Sequence, residues 1–183
     1  MRYKEYNPNK VLQQSIALFW QKGYNGCSIN EIVKETGVNR FSLYQEFKNK
    51  EGILDASLNF YRERYCDDKL NLLNSEEGLF ETLKKFYMSF LEDDVLMSGC
   101  YFIHIGTELA DTNEKIKNSL NGYLKEIQSL IQALLVKHEY SHEDAALKSR
   151  HLLGLYCTAM SLGLIHNSQE RDVYVSNGIN IIL

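Results

Sequence analysis

Apolar residues recur at helical spacing along most of the chain. Leu12, Ile16 and Phe19 fall at i, i+4 and i+7 with Trp20 beside them, which predicts a first helix over 9–22. Pro8 stands at its start and Gly23 at its end, the residues expected at those places. Ser28 precedes Glu31 by three positions, so each side chain can take up the other's unbonded backbone N–H and open a short second helix over 29–36, with Ile32 and Val33 inward. Gly37 ends that helix and Val38 is an apolar plug. Asn39 is a good cap for a third short helix over 40–47. Asn49 and Lys50 begin a fourth, carrying Ile53, Leu54, Leu58, Tyr61 and Tyr65 on its apolar side.

Asn74 and Ser75 mark a break. Ser75 is read as the cap of a fifth helix with the stripe Leu79, Leu83, Phe86, Tyr87 and Phe90. The stretch from Val95 to Ala110 is nearly apolar all round and is therefore expected to be buried. Asp111, three positions before Glu114, is read as opening a long amphipathic helix through Ile116, Leu120, Tyr123, Ile127, Ile131 and Leu134. Ser141 stands in the same relation to Asp144 and opens the next, which is expected to end near His166 and Asn167. The tail over 171–183 is rich in β-branched residues (Val173, Val175, Ile179, Ile181, Ile182) and suits a strand as well as a helix. No convincing second strand exists to pair with it, so the fold class is all-α.

Composition sharpens this picture. The 183 residues include a single proline, as long uninterrupted helices require. The net charge of −4 argues at first against nucleic acid. Its distribution argues the reverse: residues 1–50 carry eight Lys/Arg and four Glu, net +4, while the remainder holds 12 bases and 20 acids, net −8. A basic module on an acidic body suits phosphate contact at one end only. Cys27, Cys66, Cys100 and Cys157 lie far apart with no C-x-x-C pair, and read as reduced thiols in a cytoplasmic protein. No signal peptide is visible. The most apolar run, 152–165, is too short to span a bilayer, so no membrane partner is expected.

Short helices meeting at a glycine are a weak sign of a helix-turn-helix. The residues Gly23, Tyr24, Ser28, Ile32, Gly37, Val38, Leu43, Tyr44, Phe47, Lys50 and Glu51 make it specific. At this spacing they resemble the N-terminal domain of the TetR family of bacterial one-component repressors. The resemblance covers about a quarter of the chain, and the helical remainder and total length fit it. It implies a DNA-binding domain over 1–50, with a three-helix helix-turn-helix, and a larger helical ligand-binding and dimerisation domain over 51–183. Two positions depart from the usual pattern: Ser28 replaces a commoner Thr, and Phe41 stands where a small residue is usual.

Physical reasoning assigns roles within that frame. Leu43 and Phe47 anchor the third helix by their i, i+4 spacing, leaving Arg40, Phe41, Ser42 and Gln45 to face base edges in the major groove. Arg suits guanine, Gln suits adenine, and Phe41 suits a thymine methyl. Ser28, Tyr44 and Lys50 resemble the family's phosphate contacts, and Lys48 is a further candidate. One module reads too few base pairs to be specific, so a homodimer on a palindromic operator of double-stranded DNA is expected. Leu152, Leu155, Tyr156, Ala159, Met160, Leu162 and Gly163 are the candidate dimer face; the alternative is that they form the core of one chain. The resemblance also implies a small-molecule effector, its identity open. The candidate lining is Phe86, Tyr87, Phe90, Phe102, Tyr123 and Tyr156, with His104 and Glu108 as a buried polar pair. The alternative for these is ordinary core packing.

Other classes fare worse. His138-Glu139-Tyr140-Ser141-His142 spells H-E-x-x-H, which as a zinc site needs both histidines on one helix face. Ser141 reads instead as a helix cap between them, and no third ligand follows. No G-x-S-x-G occurs. An enzyme, a metal and a cofactor are therefore not expected. A DNA-binding protein of the same fold without an effector is the serious alternative, and a zinc enzyme using 138–142 the remote one.

Overall fold

The computed structural model describes residues 6–92, 99–162 and 167–183, and all the regular structure among them is helical. The chain divides into two compact units, 1–65 and 66–183. In the first, α1 (Pro8–Gly26) packs on α4 (Lys50–Tyr61) and on α2 (Ile29–Thr36), and α3 (Arg40–Phe47) packs on α4. Phe19, Ile32, Leu43, Ile53 and Leu54 are fully buried and make the centre of this unit. Each helix begins on a side-chain cap: Asn7, Ser28, Asn39 and Asn49 accept from the backbone N–H of Asn9, Glu31, Ser42 and Gly52. Such a cap is worth about 1 kcal/mol. They matter most for α2 and α3, which at eight residues each are too short to persist alone.

Two glycines are obligatory there. Gly37 holds φ at 69°, the left-handed conformation that closes α2 and turns the chain toward α3. At Gly52 a Cβ would lie 1.8 Å from the Phe47 carbonyl oxygen, so only glycine lets α4 start against the end of α3. The compact unit extends past the motif: α4 folds with α1, and its helical course continues as a wider π segment, Arg62–Cys66, in which the division between the units falls.

The second unit holds α5 (Asp67–Asn71), a 3₁₀ turn (Leu72–Asn74), α6 (Leu79–Leu91), α7 (Tyr101–Leu109), α8 (Glu114–Lys137), α9 (His142–Leu162) and α10 (Ser168–Ile182). α8 lies along α9, α10 along both α6 and α9, and α7 against α8. Among the described residues, no helix is long and apolar enough to cross a membrane.

Two helix starts differ from the expectation, each for a local reason, and the open question of the tail is answered. Ser75 does not cap α6: its hydroxyl accepts from the Glu77 N–H and forms a turn, and the helix begins at Leu79 after Gly78. Asp111 does not cap α8. The Leu109 carbonyl captures the N–H groups of Thr112 and Asn113, so the chain is still closing α7 there, and Asn113 becomes the cap. The tail is a helix and not a strand. Asn167 and Glu170 cap each other's backbone, and Val175 and Ile179, four apart, are both fully buried. Helical burial outweighs the β-branched preference. Part of the apolar stretch, 95–98, and the expected end of α9, 163–166, lie outside the described residues.

Candidate nucleic-acid interface

The outward face of α3 follows from where its anchors point. Leu43 is 0% exposed and Phe47 8%, and at 100° per residue they fix one side of a two-turn helix. The opposite side carries Phe41, 71% exposed, and Gln45, also exposed; Arg40, expected on that side, falls instead on the side of the anchors, three positions before Leu43, and is exposed because it is the first residue of the helix. Ser42 lies toward the flank; it is half-buried, and its carbonyl accepts a hydrogen bond from the Tyr6 hydroxyl at 3.3 Å. The exposed aromatic stands on the part of the helix where packing would otherwise leave polar residues alone. Arg40 is not loose: its Nη2 donates to the Asn30 side-chain oxygen on α2 at 2.6 Å. Asn30 carried no signal in the sequence, because the contact spans the turn between two helices.

The candidate phosphate contacts divide into two kinds. Tyr44 is half-buried and Lys48 exposed on or just past α3. Lys50 and Ser28 are engaged within the protein. The Lys50 ammonium donates to the carbonyls of Tyr24 and Cys27, each at 2.9 Å, and sits 4.0 Å above the Tyr24 ring. It therefore ties down the loop before α2, with one N–H left over. The Ser28 hydroxyl donates to the Glu31 carboxylate at 2.8 Å and accepts from the Glu31 N–H at 3.3 Å. Glu31 also bonds Lys22. Lys22, with the N–H and hydroxyl of Ser28, holds the Glu31 carboxyl down to about 2. The Ser28–Glu31 pair was legible as a spacing; the Lys22 bridge to it was not.

In the second unit the candidate ligand residues come together only in part. Phe86, Tyr87, Phe90, Phe102, Tyr123 and Tyr156 are all buried. The rings of Phe86 and Phe90 lie 5.5 Å from that of Tyr156, and Phe102 stacks on Tyr123 at 4.6 Å. The Tyr123 and Tyr156 hydroxyls meet at 3.1 Å, with the Cys66 and Cys100 thiols 3.7 and 3.9 Å from the Tyr123 oxygen. These hydroxyls and thiols are polar groups among the aromatics, and the thiols were read from sequence only as reduced cysteines. His104 and Glu108 are half-buried, not buried as expected. Their spacing sets them across α7 from Phe102, Gly106 and Leu109, so they do not supply the polar end of the aromatic cluster.

The candidate dimer face is likewise redrawn. Leu152 and Tyr156 are fully buried, and Ala159 and Met160 nearly so, within one chain. Tyr87 on α6 donates to the Leu152 carbonyl at 2.6 Å, and the rings of α6 cover Tyr156. These four residues are core, because α9 is apolar on more than one side and its neighbours take the most apolar one. Leu155 is half-buried on the other side; Gly163 and the side chain of Leu162 lie outside the described residues. The apolar surface left over runs along α9 and α10. Leu147, Val173 and Ile181 are more than half exposed, beside a groove of about 620 Å³ lined by Leu155, Val173, Tyr174, Gly178 and Ile181.

The zinc arrangement is absent from residues 138–142. His138 caps the end of α8, Glu139 adopts φ 67°, and His142 is the first residue of α9, which Ser141 caps through Asp144. The two histidines therefore do not share a helix face. Among the described residues, no cluster of three or more His, Cys, Asp or Glu side chains is placed to hold a metal ion.

The family model for bacterial regulatory proteins of the tetR family matches residues 11–57, which span α2, α3 and most of α1 and α4. The chain is 32% identical over 124 residues to the HTH-type transcriptional repressor ComR of Escherichia coli K12, covering 65% of this chain and 59% of that protein. It is 26% identical over 154 residues to IcaR of Staphylococcus epidermidis, the negative transcriptional regulator of the biofilm operon icaADBC, covering 80% of this chain and 76% of that protein. It thus spans somewhat over half the length of the first relative and three quarters of the second. Among solved structures, a cysteine mutant of the TetR-family regulator CifR, complexed with 26-bp operator DNA, superposes with a TM-score of 0.84 at 16% identity over 98% of both chains. A TetR-family regulator from Streptomyces coelicolor gives 0.83 at 18% identity over 97% of this chain and 95% of that one. The helix-turn-helix geometry, the matched segment and the shared all-helical fold agree: residues 11–57 are a DNA-binding segment of the bacterial tetR family type, and the chain has the fold of TetR-family regulators.

Proposed function

We propose that the protein is a DNA-binding transcriptional repressor that occupies a palindromic operator as a homodimer and is released by a small-molecule effector. The observation that carries this reading is α3, locked from behind by Leu43 and Phe47, with Phe41 and Gln45 exposed on its outward face and Arg40 exposed at its first position. The net +4 of residues 1–50 supplies the phosphate attraction that such a face needs. Two relatives are named as repressors, and one structural neighbour is bound to its operator. The homodimer is supported by the exposed apolar strip on α9 and α10, which one chain alone leaves in water. Action on DNA puts the site of work in the cytoplasm. No catalytic role is assigned.

The effector has its support in the Tyr123–Tyr156 hydroxyl pair inside an aromatic wall, a setting suited to a mostly apolar molecule with one polar end. The aromatic rings touch each other closely, which favours a second reading: a repressor of the same fold whose body is filled and takes no effector.

Selection of bound duplexes from a random pool, with affinity followed against salt, tests the DNA reading. A palindrome is expected, with affinity falling steeply as salt rises. Arg40→Ala and Gln45→Ala each lose about 1–3 kcal/mol of discrimination at one base pair per half-site. No enriched sequence and a flat salt slope overturn the proposal.

A further inference from the structure

We infer that Asn30 is a positioning residue for guanine recognition, acting through Arg40 to make a two-helix reading unit of α2 and α3. The inference rests on the DNA-binding reading above and adds to it a residue that the sequence pattern did not mark. A guanidinium carries five N–H donors in a plane, and two adjacent edges of that plane each present a parallel pair. The Asn30 oxygen takes one hydrogen of Nη2 at 2.6 Å. The other Nη2 hydrogen still forms a complete fork with its neighbour nitrogen, and that fork matches O6 and N7 of guanine.

The bond matters because of where Arg40 sits. It is the first residue of α3, on the side of the anchors Leu43 and Phe47 and not on the face of Phe41 and Gln45, and it is exposed, so its reach toward a base depends on how the side chain is held. An exposed arginine ordinarily samples many rotamers and loses that freedom on meeting a base. Asn30, in the first turn of α2, holds one corner of the plane before DNA arrives. The neutral amide is well suited to this. A carboxylate at that place would hold Arg40 as firmly but would set an anion beside the phosphates. Phe41 and Gln45 have no such support from α2 and read at the centre of the face.

The experiment uses the full-length protein and its selected operator, with each conserved guanine replaced in turn by 7-deazaguanine, which lacks the N7 acceptor. In the wild type one guanine per half-site shows a penalty of about tenfold. Arg40→Ala identifies it by abolishing that penalty. Asn30→Ala is expected to shrink the same penalty to about twofold while melting at an unchanged temperature, and to have no further effect in the Arg40→Ala background. Asn30→Asp, which keeps the acceptor oxygen, is expected to retain the penalty at lower overall affinity. A full penalty in Asn30→Ala overturns the inference and leaves the DNA reading intact, as does an Asn30→Ala effect that persists without Arg40. Failure of the wild type to bind any operator overturns the DNA reading itself.

Discussion

The two units differ in how their buried polar groups are arranged: scattered in the first, gathered in the second. In residues 6–65 the buried polar groups are scattered, Ser15, Ser57 and the Cys27 thiol among apolar neighbours, and other polar side chains work at the edges, as caps, as the Lys50 tie on the Tyr24–Cys27 loop, and on α3. In the second unit polar groups lie in the middle: the Tyr87, Tyr123 and Tyr156 hydroxyls and the Cys66 and Cys100 thiols are all buried among rings. A reading head meets a large charged surface and keeps its chemistry outside. If the second unit takes an effector as proposed, its chemistry belongs inside, where each unmatched polar group costs about 1–3 kcal/mol.

The largest expected effect comes from emptying each core in turn. Phe47→Ala and Phe86→Ala each remove a buried ring and should cost about 3–5 kcal/mol. Hydrogen exchange followed by segment should rise in α1–α4 for the first and in α6–α10 for the second. A rise everywhere in both variants would mean one cooperative body and would erase the contrast.

Next is the same chemical change made in both units. Tyr123→Phe removes a buried hydroxyl from its Tyr156 partner and should cost about 1–2 kcal/mol of stability by denaturant titration. Tyr44→Phe, on the half-buried flank of α3, should move stability by less than about 0.5 kcal/mol. It should weaken binding to all operators alike, since phosphate contacts carry no sequence information. An operator-dependent loss would instead make Tyr44 a base reader.

The smallest effect is on acid response. The Glu31 carboxyl titrates at about 2, below the ordinary 4.5, so the unfolded chain binds the proton first. The stabilisation from its bonds to Lys22 and Ser28 is present above pH 4.5 and fades as pH falls toward 2. Melting of wild type and Glu31→Gln should differ at neutral pH and converge on acidification. The second unit's cluster should add nothing over that range, because burial pushes Tyr87 and Cys100 upward and keeps both neutral. A difference that persists at pH 2 would place the effect of the substitution outside the carboxylate.

Legibility in the sequence follows the same division. The capping pair Ser28–Glu31, the left-handed Gly37 and the anchors Leu43 and Phe47 are all relations within a few residues, and such relations were readable as spacing. The errors fell where two local solutions competed. At 111–113 two residues could each cap α8, and the Leu109 carbonyl chose between them. In α9 two faces were apolar, and only the positions of α6 and α10 decided that Leu152 and Tyr156 turn inward while Leu155 stays half-buried at the surface.

The sequence by itself determined the helical class, the turn geometry of the first unit and the outward Phe41 and Gln45 on α3. Each depends on periodicity, caps and glycine conformations that act within about one or two turns of helix. Tertiary structure alone decided that Asn30 holds Arg40, that Lys50 serves the loop, and that two tyrosine hydroxyls and two thiols share one buried place. Those contacts join residues ten or more positions apart, and no local spacing records which of many chemically suitable partners the packing will bring within hydrogen-bond reach.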